Sequence, residues 1–332
     1  MPRNILIVRF SSIGDLLLTT PLLRAIKTRH PDSRIAFVVR EDMADTLRHN
    51  PRIDELITWR RGSSLEDLAT TLRAKAWTDR LDLHCSLRSY LLRRLVGGSW
   101  TGYPKHRLRR KLIIATHGKL GGRLDPVAER YFVAARKLDV TPDGGPAEFV
   151  VSDAARSAAA AFLTQHHIGV SRPIIALVPG AAHFTKRWPE EHWIALARRL
   201  AATHDIVVLG GKHEEREAAA IADACVPVAA SAAGLFSLEG SAALLQRAVR
   251  VVVGDTGLLH LATAVGTPVV GLYGPTVEAF GFFPYRTPAV IVQHDLDCRP
   301  CSSQGGPVCP LGHHNCLRKM MPDEVLEAVN HD

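Results

Sequence analysis

Apolar residues in this chain fall into short unbroken runs, separated by longer stretches in which they recur every three or four positions. The first run, residues 5–10, is short, aliphatic and bounded by polar residues, the pattern of a strand buried in a parallel sheet. A turn, Ser11-Ser12-Ile13-Gly14-Asp15, leads into residues 16–29, whose spacing predicts a helix packed on that sheet. Residues 34–39 predict a second strand, 56–59 a third, and 77–83 a strand running into the loop Asp82-Leu83-His84-Cys85-Ser86-Leu87-Arg88-Ser89. Two prolines and two glycines in Thr141-Pro142-Asp143-Gly144-Gly145-Pro146 then interrupt any regular element and mark a linker. Beyond it the alternation restarts. Strands are predicted at 174–178, 205–209, 251–254 and 269–273, and helices at 190–203, 214–224, 238–248 and from 258.

Alternation of this kind signals doubly wound α/β architecture, here in two Rossmann-like domains, residues 1–145 and 146–332. Two open sheets leave a cleft at the carboxyl ends of their strands, where ligands of such folds bind. Candidate chemistry is therefore sought in the loops just after strands.

Charge adds an asymmetry. Residues 1–150 hold 27 Lys and Arg against 16 Asp and Glu, leaving 14 against 17 in the remainder, for a net charge of +8. The basic half contains Lys105-His106-Arg107-Leu108-Arg109-Arg110-Lys111, with Lys119 and Arg123 beyond it. Such a tract is either a solvated surface or an attraction for an anionic partner. Aromatic residues are sparse around it and no recognition motif accompanies it, so nucleic acid is not expected. No apolar stretch is long enough to span a bilayer, and residues 5–8 are too short for a signal-peptide core, so the protein is expected to stay where it is made.

Three loops carry candidate chemistry. In the first, Gly14 permits a tight turn and Asp15 falls at a helix N-terminus, where the dipole favours an ionised carboxylate able to accept a proton. The same residue could serve only as a helix cap. In the second, Pro179-Gly180-Ala181-Ala182-His183-Phe184-Thr185-Lys186-Arg187-Trp188-Pro189-Glu190, Lys186 and Arg187 offer cations where a diphosphate would gather charge; the alternative is two solvated side chains. In the third, Gly254-Asp255-Thr256-Gly257-Leu258-Leu259-His260, Thr256 and Gly257 open a helix whose N–H groups suit phosphate oxygens, and Asp255 suits sugar hydroxyls. His260 sits within a turn of the same place, unless it is a core histidine. The Gly-x-Gly-x-x-Gly fingerprint of dinucleotide-binding folds is absent.

In this order and separation, the Ser-Ser-Ile-Gly-Asp, Lys-Arg-Trp-Pro-Glu and Asp-Thr-Gly-Leu-Leu-His elements resemble glycosyltransferase family 9, the ADP-heptose:lipopolysaccharide heptosyltransferases. Residues 82–89 and Ala128-Glu129-Arg130-Tyr131 extend the resemblance over nearly the whole chain. It implies the GT-B architecture of two facing Rossmann-like domains, the N-terminal one binding acceptor and the C-terminal one donor. It further implies inverting transfer of heptose from ADP-heptose to a lipid A–Kdo type acceptor, by a cytoplasmic enzyme peripheral to the inner membrane face. Asp15 matches the family's base, and Lys186 the lysine that neutralises the donor diphosphate, with Thr256 and Gly257 supplying backbone contacts. Asp255 and His260 match residues lining the donor sugar, Glu214 one on the adenosine ribose, and Phe236 one packed against adenine. Arg187 joins the donor set, and Ser12, Gly14, Arg60 and Arg61 lie where the anionic glycolipid acceptor is expected. One departure is visible: Ala181-Ala182 stand where the lipopolysaccharide enzymes carry hydroxyl-rich residues.

Cys298, Cys301, Cys309 and Cys316 form C-x2-C-x7-C-x6-C in a Gly/Pro-rich tract. Four thiolates so spaced suit a structural zinc or iron ion, against the alternative of reduced free cysteines. The transfer chemistry itself is expected to need no cofactor. The alternative readings are a family member using another nucleotide sugar or a protein acceptor, a GT-B nucleotide-sugar epimerase, a member that has lost activity and serves as a binding or assembly subunit, or a basic nucleic-acid-binding protein.

Overall fold

A computed structural model describes residues 2–331, which form two compact α/β units. One unit runs to His106 and takes in Asp125–Val150; the other is Arg107–Leu124 with the chain from Val151 onward.

The first unit is built on β1 (Asn4–Val8), β2 (Arg34–Arg40), β3 (Glu55–Trp59), β4 (Asp79–Asp82) and β5 (Thr101–Gly102), all parallel, in the order β3-β2-β1-β4-β5. Central β1 is buried from Ile5 onward, as its unbroken aliphatic run requires. The single helix expected over 16–29 is two: α1 (Ile13–Leu17) and α2 (Thr20–Arg29). Pro21 lies in the first turn of α2, where its missing N–H costs nothing, whereas one continuous helix would have broken a hydrogen bond there. The Thr19 and Thr20 hydroxyls donate to the Leu16 and Leu17 carbonyls at 2.6 and 2.7 Å, satisfying the end of α1. α3 (Leu65–Arg73) and α4 (Leu87–Val96) complete this part of the unit.

α5 (Arg107–Ala115) packs with the second unit, and α6 (Val127–Ala134) with the first. The domain limits therefore differ from 145/146. Residues 146–150 stay with the first unit because Arg24 donates to Pro146 O at 3.1 Å and pairs with Glu148, while Phe149 is buried. Residues 107–124 join the second because Ile113 and Leu124 bury against Phe280, and Leu124 N donates to Ala279 O at 3.0 Å.

The second unit has six parallel strands, β6 (Ile174–Val178), β7 (Asp205–Val208), β8 (Ala229–Ser231), β9 (Arg250–Gly254), β10 (Val269–Tyr273) and β11 (Ala289–Gln293), in the order β11-β10-β9-β6-β7-β8. Its helices are α7 (Asp153–Gln165), α8 (Glu190–Leu200), α9 (Glu215–Asp223), α10 (Leu238–Arg247), α11 (Gly257–Ala264), α12 (Asn315–Arg318) and α13 (Pro322–Asn330). Trp188 and Trp193 are fully buried between α8, the sheet and Met320, and Trp188 Nε1 donates to Met320 O at 3.0 Å. Both sheets are the parallel, doubly covered kind that the sequence predicts. No described helix is long and apolar enough to cross a membrane.

Candidate active site

In the first unit, every candidate group follows a strand end. Beyond β1 the chain turns through Ser11 and Ser12, and Asp15 occupies the third position of α1. Its Oδ2 accepts hydrogen bonds from Ser12 Oγ at 2.8 Å and from Ser12 N at 3.3 Å, so the carboxylate does close the helix terminus. Its Oδ1 does something else: it lies 2.5 Å from the guanidinium of Arg9. Arg9 is only 4% exposed and fixed from three further sides, donating to Ser11 O at 2.8 Å, to Leu83 O and to Tyr103 Oη at 3.2 Å. Tyr131 Oη is 3.5 Å from Asp15 Oδ1, and its ring meets Tyr103 edge-on.

Burial alone would push the Asp15 carboxyl up, but Arg9 and the two Ser12 donors outweigh it, and its pKa lies below the ordinary 3.8. His84, whose ring stands edge-on to Phe10, is pushed down to about 3 by burial and by the Arg9 charge, so it is neutral at physiological pH. The result is one carboxylate that stays ionised beside a fixed cation, a neutral imidazole and two phenols. Because the Asp15 pKa is lowered on folding, its contribution to stability is present above the unfolded value and is lost as pH falls through the folded one. An acid limb of kcat/KM set by Asp15 would accordingly lie below the usual aspartate range. Arg9→Gln should move that limb upward, since the push from burial is then opposed only by the Ser12 donors. A pH–rate profile of the two proteins checks this; superimposed limbs would contradict it.

Gly14 is buried beneath the turn and Ser12 is exposed. Arg60 and Arg61 are exposed on the loop after β3, with Arg60 4.0 Å from Glu41. They are not in the Asp15 cluster, though their neighbour Trp59 packs on Phe10.

The second unit gathers its candidates along the carboxyl edge of its sheet. Lys186 Nζ lies 2.7 Å from Asp255 Oδ2 and 3.0 Å from Asp255 O, at the end of β9. Thr276, after β10, donates to the same Oδ2 at 2.7 Å. Asp255 thus fixes a cation directly before the N-terminus of α11, which Thr256 and Gly257 open with unpaired N–H groups. Thr256 Oγ1 is buried with no hydrogen-bond partner. His260 is buried on α11. Arg187 points outward, its Nε held by Ala181 O at 2.8 Å. Glu214, after β7, accepts from Gly211 N at 2.8 Å and lies across Gly180 and Gly210, where any Cβ would collide with it. Phe236, after β8, is half-buried, edge-on to Phe162 at 5.4 Å and seated on Gly240.

The cysteine tract braces the Lys186 turn, a contact that no local spacing encodes. Gly306 N donates to Thr185 Oγ1 at 2.8 Å, Thr185 N donates to Gly306 O at 3.2 Å, and His314 reaches Thr185 O. Gly305 has φ +88°, and a Cβ there would stand 3.1–3.2 Å from His183, Lys186 and Thr185. Gly305→Ala is expected to cost about 1 kcal/mol or more of stability, read by thermal unfolding. Burial pushes the Cys316 thiol up to about 11, with Cys301, Cys309 and Cys298 adding to the effect. Among the described residues, no group of three or more His, Cys, Asp or Glu is arranged to hold a metal ion.

Comparison with known proteins agrees with the motif order. Residues 65–310 match the model of glycosyltransferase family 9 (heptosyltransferase). The lipopolysaccharide heptosyltransferase 1 of Pseudomonas aeruginosa is 30% identical over 90% of this chain and 86% of its own. The fold is similar to that of the family 9 glycosyl transferase from Veillonella parvula, with TM-score 0.82 at 24% identity over 99% of this chain and 96% of that one. It is also similar to the E. coli ADP-heptose LPS heptosyltransferase II, with TM-score 0.75 at 24% identity over 98% and 97%.

Proposed function

We infer the chemistry from one premise: the chain belongs to glycosyltransferase family 9, the heptosyltransferases, and is a transferase. We propose that it moves heptose from ADP-heptose to a hydroxyl of a lipopolysaccharide inner-core acceptor, with inversion. Asp15 takes the proton of the acceptor hydroxyl as its oxygen attacks the anomeric carbon. The bond from that carbon to the diphosphate oxygen breaks, and ADP leaves with its charge opposed by Lys186 and the α11 N-terminus. The observation that carries this reading is the Asp15 carboxylate, kept ionised by a buried arginine at the end of the central strand.

In the same reading Glu214 faces the ribose, Phe236 the adenine, Asp255 and His260 the sugar, and Ser12, Gly14, Arg60 and Arg61 the acceptor. The enzyme works in the cytoplasm, peripheral to the inner membrane, where a lipid-linked acceptor would be presented. Isothermal titration with ADP, UDP and GDP tests the donor assignment. ADP should bind at least about tenfold more tightly than either alternative, and preference for UDP would overturn the assignment.

A structural zinc or iron ion at Cys298, Cys301, Cys309 and Cys316 belongs to the proposal as a brace for the Lys186 turn. Its ligand set is not formed in this structure, and the transfer proposed above is assigned to Asp15, Lys186 and the α11 N-terminus. Elemental analysis of the purified protein, with Cys301→Ser for comparison, decides it.

A further inference from the structure

The basic tract plays no part in the chemistry above. Arg107–Leu124 contains six lysines and arginines and no acidic residue. α5 spends its inner face on Ile113, which is buried against Phe280, and on Arg110, whose guanidinium lies 5.5 and 5.6 Å from the ring centroids of Phe280 and Phe282. Its outer face is apolar at the centre. Leu108 is 82% exposed and Leu112 44%, four positions apart and so adjacent on the helix, and Leu120 in the following turn is 59% exposed. By helical spacing, Arg109 and Lys111 flank this ridge on opposite sides. Lys111 and Lys119 are exposed.

A leucine ridge bordered by cations matches one kind of partner in both respects. Nucleic acid would use the charge but offer nothing to the leucines. An anionic bilayer uses both, taking the leucines below its headgroups and the cations at its phosphates. At nine residues α5 is too short to span, but its length suits lying in the plane of the interface. We propose that α5 and the turn after it form a membrane-docking surface, with Leu108, Leu112 and Leu120 entering the headgroup boundary of an anionic bilayer and Lys111 and Lys119 contacting its phosphates. The inference rests on the reading of a lipid-linked acceptor and adds where the chain meets the lipid.

Vesicle sedimentation of the full chain tests it, with phosphatidylethanolamine/phosphatidylglycerol vesicles against phosphatidylcholine vesicles. The parent should bind the anionic vesicles at least about tenfold more tightly. Leu108→Ser/Leu112→Ser should lose about tenfold or more of that affinity, with an unchanged unfolding midpoint because both side chains are exposed. Lys111→Gln/Lys119→Gln should narrow the gap between the two vesicle types severalfold. Transfer of heptose to a deacylated, soluble acceptor should be the same for parent and leucine variant. If the leucine variant binds anionic vesicles like the parent, or the parent binds both vesicles equally or neither, the docking surface is wrong even when soluble transfer proceeds. If the vesicle results hold but no protein modifies the soluble or the lipid-linked acceptor, the acceptor reading fails and the surface stands.

Discussion

Asp15→Asn should lower kcat for heptose transfer by about 10²–10⁴-fold, the range that a positioned general base supplies, while ADP affinity stays within a factor of about two. The amide keeps the size and the Ser12 contacts of the carboxylate but cannot accept the acceptor proton. One complication has to be separated from catalysis. The substitution leaves the buried Arg9 guanidinium without its anion, and breaking such a pair can cost about 3–5 kcal/mol. The remaining bonds of Arg9 to Ser11 O, Leu83 O and Tyr103 Oη soften that loss. Asp15→Asn combined with Arg9→Gln removes both charges, so it should regain stability without regaining rate. Near-native turnover in either variant would remove Asp15 as the base.

The second large effect is expected at Lys186. Lys186→Ala should reduce kcat/KM for donor by about 10²–10³-fold, since the cation meets charge that grows as the diphosphate departs. Here too a partner is stranded: Asp255 keeps its hydrogen bond from Thr276 but loses the ammonium 2.7 Å away. Lys186→Met combined with Asp255→Asn leaves no unpaired charge, so recovery of folding without recovery of rate in steady-state assays would assign the loss to the missing cation. Recovery of both would mean that Lys186 serves only to neutralise Asp255.

These two sites were legible in the sequence to different degrees. The strands of both units show in unbroken aliphatic runs, because parallel strands covered on both faces tolerate no alternation; residues 269–273 coincide with β10. Asp15, Lys186 and Asp255 stand out as candidates because loops after parallel strands are where such folds place chemistry. Their partners do not. Arg9 reads locally as a polar residue closing an apolar run. Its role depends on Leu83, Tyr103 and Tyr131, which lie more than seventy positions away, and no local spacing encodes that. Thr276 was legible only as part of a glycine-rich turn, and Gly305 only as part of the cysteine tract. The tract at 105–111 reads as charge, which masks the helix and its buried Ile113, one of the apolar residues that tie the segment to the second unit.

The proposed transfer is a single displacement in which a base activates the acceptor and no protein nucleophile touches the sugar. Nuclear magnetic resonance of the isolated product of ADP-heptose transfer reads this from the anomeric configuration of the new bond. Inversion relative to the donor is the predicted result. Retention would require a different path to the anomeric carbon and would contradict the role given to Asp15.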